Sequence, residues 1–274
     1  MKTKFLIWSF AAMLLSGMSF TSCSNDDPTD SGTEQNGENG EDTDDENAND
    51  ENKDDDNNDE TSAGITLDTT GSDYYVFLLG DSQFESLGDK VVADFRPEGD
   101  GTDDTQKNLY IWENTYTPGT CTGPNAFGDV EGWTSLVAGS IGWTGAGISI
   151  PTTFSSTLAK LKDINDEYED YVLHVVLKTS QSSWAVSLGL DYGDANSGEV
   201  VIGNTSIDNI APYKDITHDG EWNLVTIPLS KFYETGFTYS KENVTSSNVF
   251  HFLSGAVAGT TLDIDACFIY KPAK

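Results

Sequence analysis

The chain is short of positive charge, histidine and cysteine, and each shortage excludes a class of function. Fourteen Lys and Arg residues stand against 46 Asp and Glu, a formal net charge of −32. Nucleic acid and anionic lipid both demand a basic footprint, so neither is expected as a partner of the folded part. The three histidines, His174, His218 and His251, are never four residues apart, so the HExxH zinc pattern is absent. No Gly-x-Ser-x-Gly elbow and no phosphate-cradling glycine loop occurs. The longest apolar run, residues 5–20, is too short to cross a ~30 Å hydrocarbon layer comfortably. Three cysteines, Cys23, Cys121 and Cys267, are too few for a dense disulfide framework.

What is present begins with organisation. Lys2 and Lys4 precede the apolar run, and Phe20-Thr21-Ser22-Cys23 closes it with small residues. A basic start, an apolar middle and a small-residue cleavage zone describe an export signal over 1–22. Residues 24–63 carry seventeen acids opposed by Lys53 alone, with no aromatic and no branched aliphatic residue. Such a stretch cannot bury enough apolar area to offset its ordering entropy, so 23–63 is expected to be a disordered, self-repelling tether. Residues 64–274 then keep 29 acids against 11 bases, a balance of −18. In an exported protein a Cys121–Cys267 bridge is permitted, but spacing does not establish it, and both are read as semi-buried thiols.

From residue 64 onward, short runs of aromatics, Val, Ile and Thr alternate with Gly, Asn, Asp and Pro. Strands are expected at 74–79, 91–95, 109–116, 147–150, 171–178, 184–192, 199–202, 222–229, 249–253 and 261–270. Trp184, Val186, Leu188, Leu190 and Tyr192 share one face of a two-residue period, opposite Ala185, Ser187, Gly189 and Asp191. Leu262, Ile264, Ala266, Phe268 and Tyr270 read likewise as one face, opposite Asp263, Asp265 and Cys267. Phe154, Leu158 and Leu161 fall at helical spacing, and 230–234 reads as a helical turn closed by Gly236. The expected fold is all-β: two antiparallel sheets packed as a jelly-roll-like sandwich, in one domain over 64–274, with no second linker and no internal repeat.

Three stretches resemble known families. Phe20-Thr21-Ser22-Cys23 resembles a bacterial lipoprotein signal, with Phe20 where Leu is commoner. Ser24-Asn25-Asp26-Asp27 resembles the acidic address that sends Bacteroidota lipoproteins to the outer face of the outer membrane. The resemblance implies lipid attachment at Cys23. His218 to Phe232 (HDGEWNLVTIPLSKF) and Leu262 to Tyr270 (LDIDACFIY) resemble strands of galactose-binding-like carbohydrate-binding modules. Leu109 to Ile150, with its repeated Gly and Trp, is similar to surface glycan-binding lipoproteins of gut Bacteroidota. Together these imply a tethered module that captures polysaccharide or oligosaccharide without cleaving it, in company with a polysaccharide importer.

His174 stands among Val172, Val176 and Lys178 and reads as a sheet-face residue rather than a ligand. Asp166-Glu167-Tyr168-Glu169-Asp170 is dense in carboxylates but reads as a polar connection, without the Glu-x-Asp-x-x-Glu pattern of jelly-roll glucanases. The loop 97–104 reads as a solvated turn or as a holder of structural calcium through Asp100, Asp103 and Asp104; no other cofactor is required. A sugar ring has an apolar C–H face and a polar rim, which a flat aromatic and Asn, Asp or Gln can meet. Trp133, flanked by polar and turn residues, is the first candidate platform. Tyr213, Tyr192 and Trp112 follow, with Asn125 as a polar contact. Trp184 reads as core, Trp222 as structural and Trp143 as tightly packed among small neighbours. Two rival functions remain: an adhesin or surface-assembly subunit, and a glycoside hydrolase.

Overall fold

The computed structural model describes residues 64–274 apart from positions 100, 102, 122, 140–141, 192–196, 240–246 and 256. The expected signal, Cys23 and the expected tether lie outside the described residues. The described chain folds as two packed β-sheets with three short helices, as its patterning requires. One sheet runs β10 (Asn223–Pro228), β7 (Val172–Lys178), β12 (Thr261–Lys271), β1 (Ser72–Leu78), β2 (Val91–Asp94), and β5 (Trp133–Ala138) extends it by pairing with both β12 and β4 (Tyr116–Cys121). The other runs β3 (Asn108–Ile111), β6 (Thr144–Ile150), β11 (Ser247–Ser254), β8 (Ala185–Leu190), β9 (Gly198–Gly203). Pairing is antiparallel throughout the named strands except between β1 and β2, which run parallel.

The sheets are held by the apolar faces they turn to each other. Phe77 stacks on Phe95 (5.6 Å) and Phe250 (5.3 Å) at the centre, with Leu136, Ile148, Val175, Leu188 and Val225 fully buried around them. Trp184 is core, as its alternation demanded. Helix α2 (Ser155–Ala159) buries Leu158, and the turn after it buries Leu161; α3 (Ser230–Tyr233) buries Phe232 before Gly236 at φ 91°. Cys267 is free and wholly buried, so no bridge joins it to Cys121; Cys121 is buried too and, against the expectation of two thiols, is not free.

Two departures from the strand pattern shape the molecule. Residues 109–116 are not one strand. Glu113 and Asn114 adopt φ of 50° and 53°, which turns the chain between β3 and β4 and sends each to a different sheet. In β12 the register against β7 slips between Ile264 and Ala266, leaving Asp265 as the extra residue of a bulge. Leu262 and Ile264 therefore face the inter-sheet core together with Cys267 and Ile269, whereas Ala266, Phe268 and Tyr270 face the opposite way. The single apolar face expected across 262–270 is thus two faces joined at Asp265.

Those outward residues are not left bare. Tyr74, Val76, Val176, Ala266 and Phe268 form a second apolar layer, covered by Ile65, Leu67, Phe84, Leu87, Ala126 and Phe127. Helix α1 (Asp81–Leu87), unforeseen in the sequence, supplies part of that cover. Among the described residues no comparable apolar layer lies on the outer face of the five-stranded sheet. Among the described residues, that face is the one left open.

Candidate functional site

The open face is built from one transverse row of side chains. Register places Tyr110 opposite Gly147, Gly147 opposite His251, His251 opposite Gly189, and Gly189 opposite Glu199. Large and absent side chains therefore alternate across all five strands. The glycines are needed by packing. A Cβ on Gly147 would lie 2.7 Å from Cη2 of Trp112, and one on Gly189 only 1.8 Å from Nε2 of His251. In the neighbouring row a Cβ on Gly145 would lie 2.8 Å from Cε3 of Trp112 and 2.9 Å from Cζ3 of Trp143. Trp112 and Trp143 thus rest side by side on a strip of bare backbone. Tyr110 and His251 set their rings edge-on to Trp112, at 5.9 and 6.2 Å.

Trp112 and Tyr110 are half-buried, and Trp143 is 40% exposed, which corrects the expectation that it packs tightly. Its small neighbours Gly142 and Gly145 open space around it; Gly145 also lets it settle on the sheet. Burial lowers the His251 pKa to about 4, against the opposing charge of Asp191. The imidazole is therefore neutral at pH 7, and its 3.9 Å approach to Glu199 is not an ion pair. Ser187 Oγ donates to Glu199 Oε2 at 3.2 Å and holds that carboxylate in the row. Ala185, Ser187 and Gly189, expected on a wetter face, are buried because β8 lies inside the sheet under these neighbours. At the far edge, Tyr213 N–H donates to Val201 O at 2.7 Å, and the Tyr213 side chain is 42% exposed. The face can stack apolar ring surfaces on indoles and meet hydroxyls at Glu199, Tyr110 and Tyr213.

The structure brings Trp112 and Tyr213 to this sheet and places Trp133 elsewhere. Trp133 begins β5 in the seven-stranded sheet, edge-on to Trp222 at 5.5 Å, with Lys178 Nζ 4.3 Å from its ring centre and 4.4 Å from that of Trp222. It is half-buried and lines a cleft of about 850 Å³ at the end of β1 and β4. Asn125 is buried, and its side-chain oxygen accepts from the N–H groups of Phe127 (3.0 Å) and Asp129 (2.9 Å). That oxygen organises the loop that covers the second apolar layer. Tyr192 and Asp100 lie outside the described residues. Asp103 Oδ1 accepts from the Thr105 N–H and hydroxyl at 2.8 and 2.6 Å, which closes a turn, and Asp104 is exposed in the same turn. Among the described residues no three His, Cys, Asp or Glu side chains are grouped to hold a metal ion. His174 is buried in the sheet face, stacked on Phe268 at 4.7 Å, and burial lowers its pKa to about 4.

Sequence reasoning passed over Tyr110, Trp143, His251 and Glu199. The signal that could have found them is Gly145-x-Gly147, a strand whose outward positions are empty and must be filled by neighbours.

No protein-family model matches the chain, and no curated protein matches it. Solved structures share its general arrangement at low similarity. A family 11 carbohydrate-binding module from Clostridium thermocellum, in complex with a β-1,3-1,4-mixed-linked tetrasaccharide, aligns at TM-score 0.37 and 14% identity, over 64% of this chain and 92% of that one. The family 30 carbohydrate-binding module of a cellulosomal cellulase from the same organism aligns at 0.39 and 18%, over 61% and 87%. TmCBM61 in complex with β-1,4-galactotriose aligns at 0.32 and 9%, over 60% and 88%. Likenesses this distant say nothing of what this chain binds.

Proposed function

We propose that this protein binds polysaccharide without cleaving it, on the open face of the five-stranded sheet. One observation carries the reading: Trp112 and Trp143 lie side by side on the glycine strip of an uncovered sheet, in line with the polar row that ends at Glu199. Indole surfaces take the C–H faces of sugar rings, and the flanking hydroxyls and carboxylate take their rims. From β6, under Trp112, to the segment holding Tyr213 is four strand spacings of about 4.8 Å, about 19 Å in all. That span exceeds one pyranose several times over, so the ligand is a chain rather than a single sugar.

The sequence supports a location for this activity. In our reading Cys23 carries lipid, the outer membrane holds the protein through it, and the acidic tether presents the sandwich to the cell exterior, where a polysaccharide importer takes up what is captured. A lipid anchor leaves the folded part free of any need to touch the bilayer. Weak single sites gain by clustering on a surface.

Affinity electrophoresis through gels containing single polysaccharides tests the binding, with reducing-sugar release measured on any glycan that retards the protein. Retardation that Trp112→Ala relieves, without sugar release, is the expected result. Absence of retardation on a broad panel, or release of reducing ends, refutes it.

A further inference from the structure

The cleft beside Trp133 is separate from the sheet face. It is lined from the ends of β1, β2, β4 and β5 and reaches the bulge of β12. Its walls carry five carboxylates, Asp81, Asp94, Glu98, Glu131 and Asp265, against two cations, Arg96 and Lys107. The cations are already matched. Arg96 pairs with Asp81 (2.9 Å) and Asp94 (3.2 Å), and Lys107 pairs with Glu98 (3.1 Å). Glu131 and Asp265 are left with no cation in the lining. Glu131 accepts from the Ser82 N–H (3.0 Å) and hydroxyl, and so fixes the start of α1. Asp265 is 4% exposed; its Oδ2 accepts from the Ala126 N–H at 2.7 Å, and its Oδ1 has no hydrogen-bond partner. Lys178, outside the lining, acts on the Asp265 charge only through space, and its Nζ lies against the Trp133 and Trp222 rings.

A buried carboxylate oxygen without a donor is costly, and β-bulges serve to re-aim a side chain at such points. The slip at Asp265 turns its carboxylate into a cleft that already holds an uncompensated negative charge and an indole wall. We infer that this cleft is a second binding site, for a saccharide that carries a free ammonium group, with the ammonium on Asp265 and Glu131 and the sugar ring against Trp133. The volume, about 850 Å³, is that of a small-molecule site. A divalent metal is a poorer occupant, because among the described residues no three ligating side chains are grouped there.

The test follows the indole N–H resonances of the full chain during titration. A β-1,4-linked glucosamine tetramer should move the Trp133 resonance, and its fully N-acetylated counterpart should bind there at least tenfold more weakly. Asp265→Asn keeps the acceptor for Ala126 and should cost the glucosamine tetramer at least tenfold in affinity. Trp112→Ala, which disables the sheet face, should leave this site unchanged, so either site can fail without the other. Equal binding of the two tetramers, a shift confined to Trp112 and Trp143, or a Trp133 shift produced by calcium alone would each overturn the assignment. The comparison of tetramers on the unmodified chain decides the matter even if a variant fails to fold.

Discussion

Replacing Trp112 with Ala is the sharpest perturbation of the sheet face. The indole fills the space above Gly145 and Gly147, with Trp143 and Leu253 beside it at Gly145. A sugar ring laid on one indole face removes about 100 Å² of apolar surface from water, on the order of 2.5 kcal/mol at ~25 cal/mol per Å². Losing that contact should weaken polysaccharide binding by roughly 60-fold. Trp112→Phe keeps an aromatic of smaller area and should lose about half that free energy, roughly eightfold. Isothermal titration with the retained glycan measures both, and thermal unfolding checks that the fold survives. Survival is expected, because Trp112 is half-buried at a sheet edge. Trp184→Ala supplies the contrast: that ring is 3% exposed in the core, so its loss should destabilise by about 3–5 kcal/mol. If Trp112→Ala folds and binds as the parent does, the platform is not on this face and the reasoning fails.

Three further outcomes are expected. Gly189→Ala must push His251 aside, since the new Cβ would sit 1.8 Å from its Nε2, and should cost about 1–3 kcal/mol in denaturant unfolding; an unchanged midpoint would show that the imidazole yields freely. Burial raises the Asp265 pKa from 3.8 to about 6, opposed by the Ala126 N–H and aided by Glu131. Its folded pKa lies above the unfolded one, so its contribution is fully present below about pH 4 and lost as pH rises through about 6. Asp265→Asn should therefore stabilise the protein above pH 6, by at most about 3 kcal/mol, with the gain vanishing near pH 4; a gain independent of pH would contradict this. Cys23→Ala should move the protein from membrane to soluble fractions, and unchanged partitioning would end the proposal of a lipid anchor.

The sandwich was legible because most strands alternate cleanly and are punctuated by turn residues. Trp184, Val186, Leu188 and Leu190 needed no tertiary knowledge to be placed in the core. The hairpin of β4 and β5 was not legible. Tyr116-Thr117-Pro118-Gly119-Thr120-Cys121 contains Pro and Gly and reads as a loop, yet it pairs along its length with β5. Helix α1 escaped because its apolar stripe is only Phe84 and Leu87, with its start held by Glu131 from 49 residues away. The sheet to which each candidate aromatic belongs was not legible. Trp112, Tyr213 and Trp133 all have polar or turn neighbours in sequence, yet Trp112 and Tyr213 meet the five-stranded sheet and Trp133 the seven-stranded one. Local polarity reports whether a side chain can meet water; it does not report which sheet its strand joins.

The sequence alone determined the contrast between an acidic stretch and an all-β body, because charge density and two-residue periodicity are properties of neighbouring residues. Only the tertiary structure decided which sheet would be covered and which left open. That depends on a one-residue bulge at Asp265, a turn at Glu113 and Asn114, and glycines that set the rings of Tyr110, Trp112, Trp143 and His251 against one another. The bulge and the ring contacts act between strands far apart in sequence, so no local window contains them.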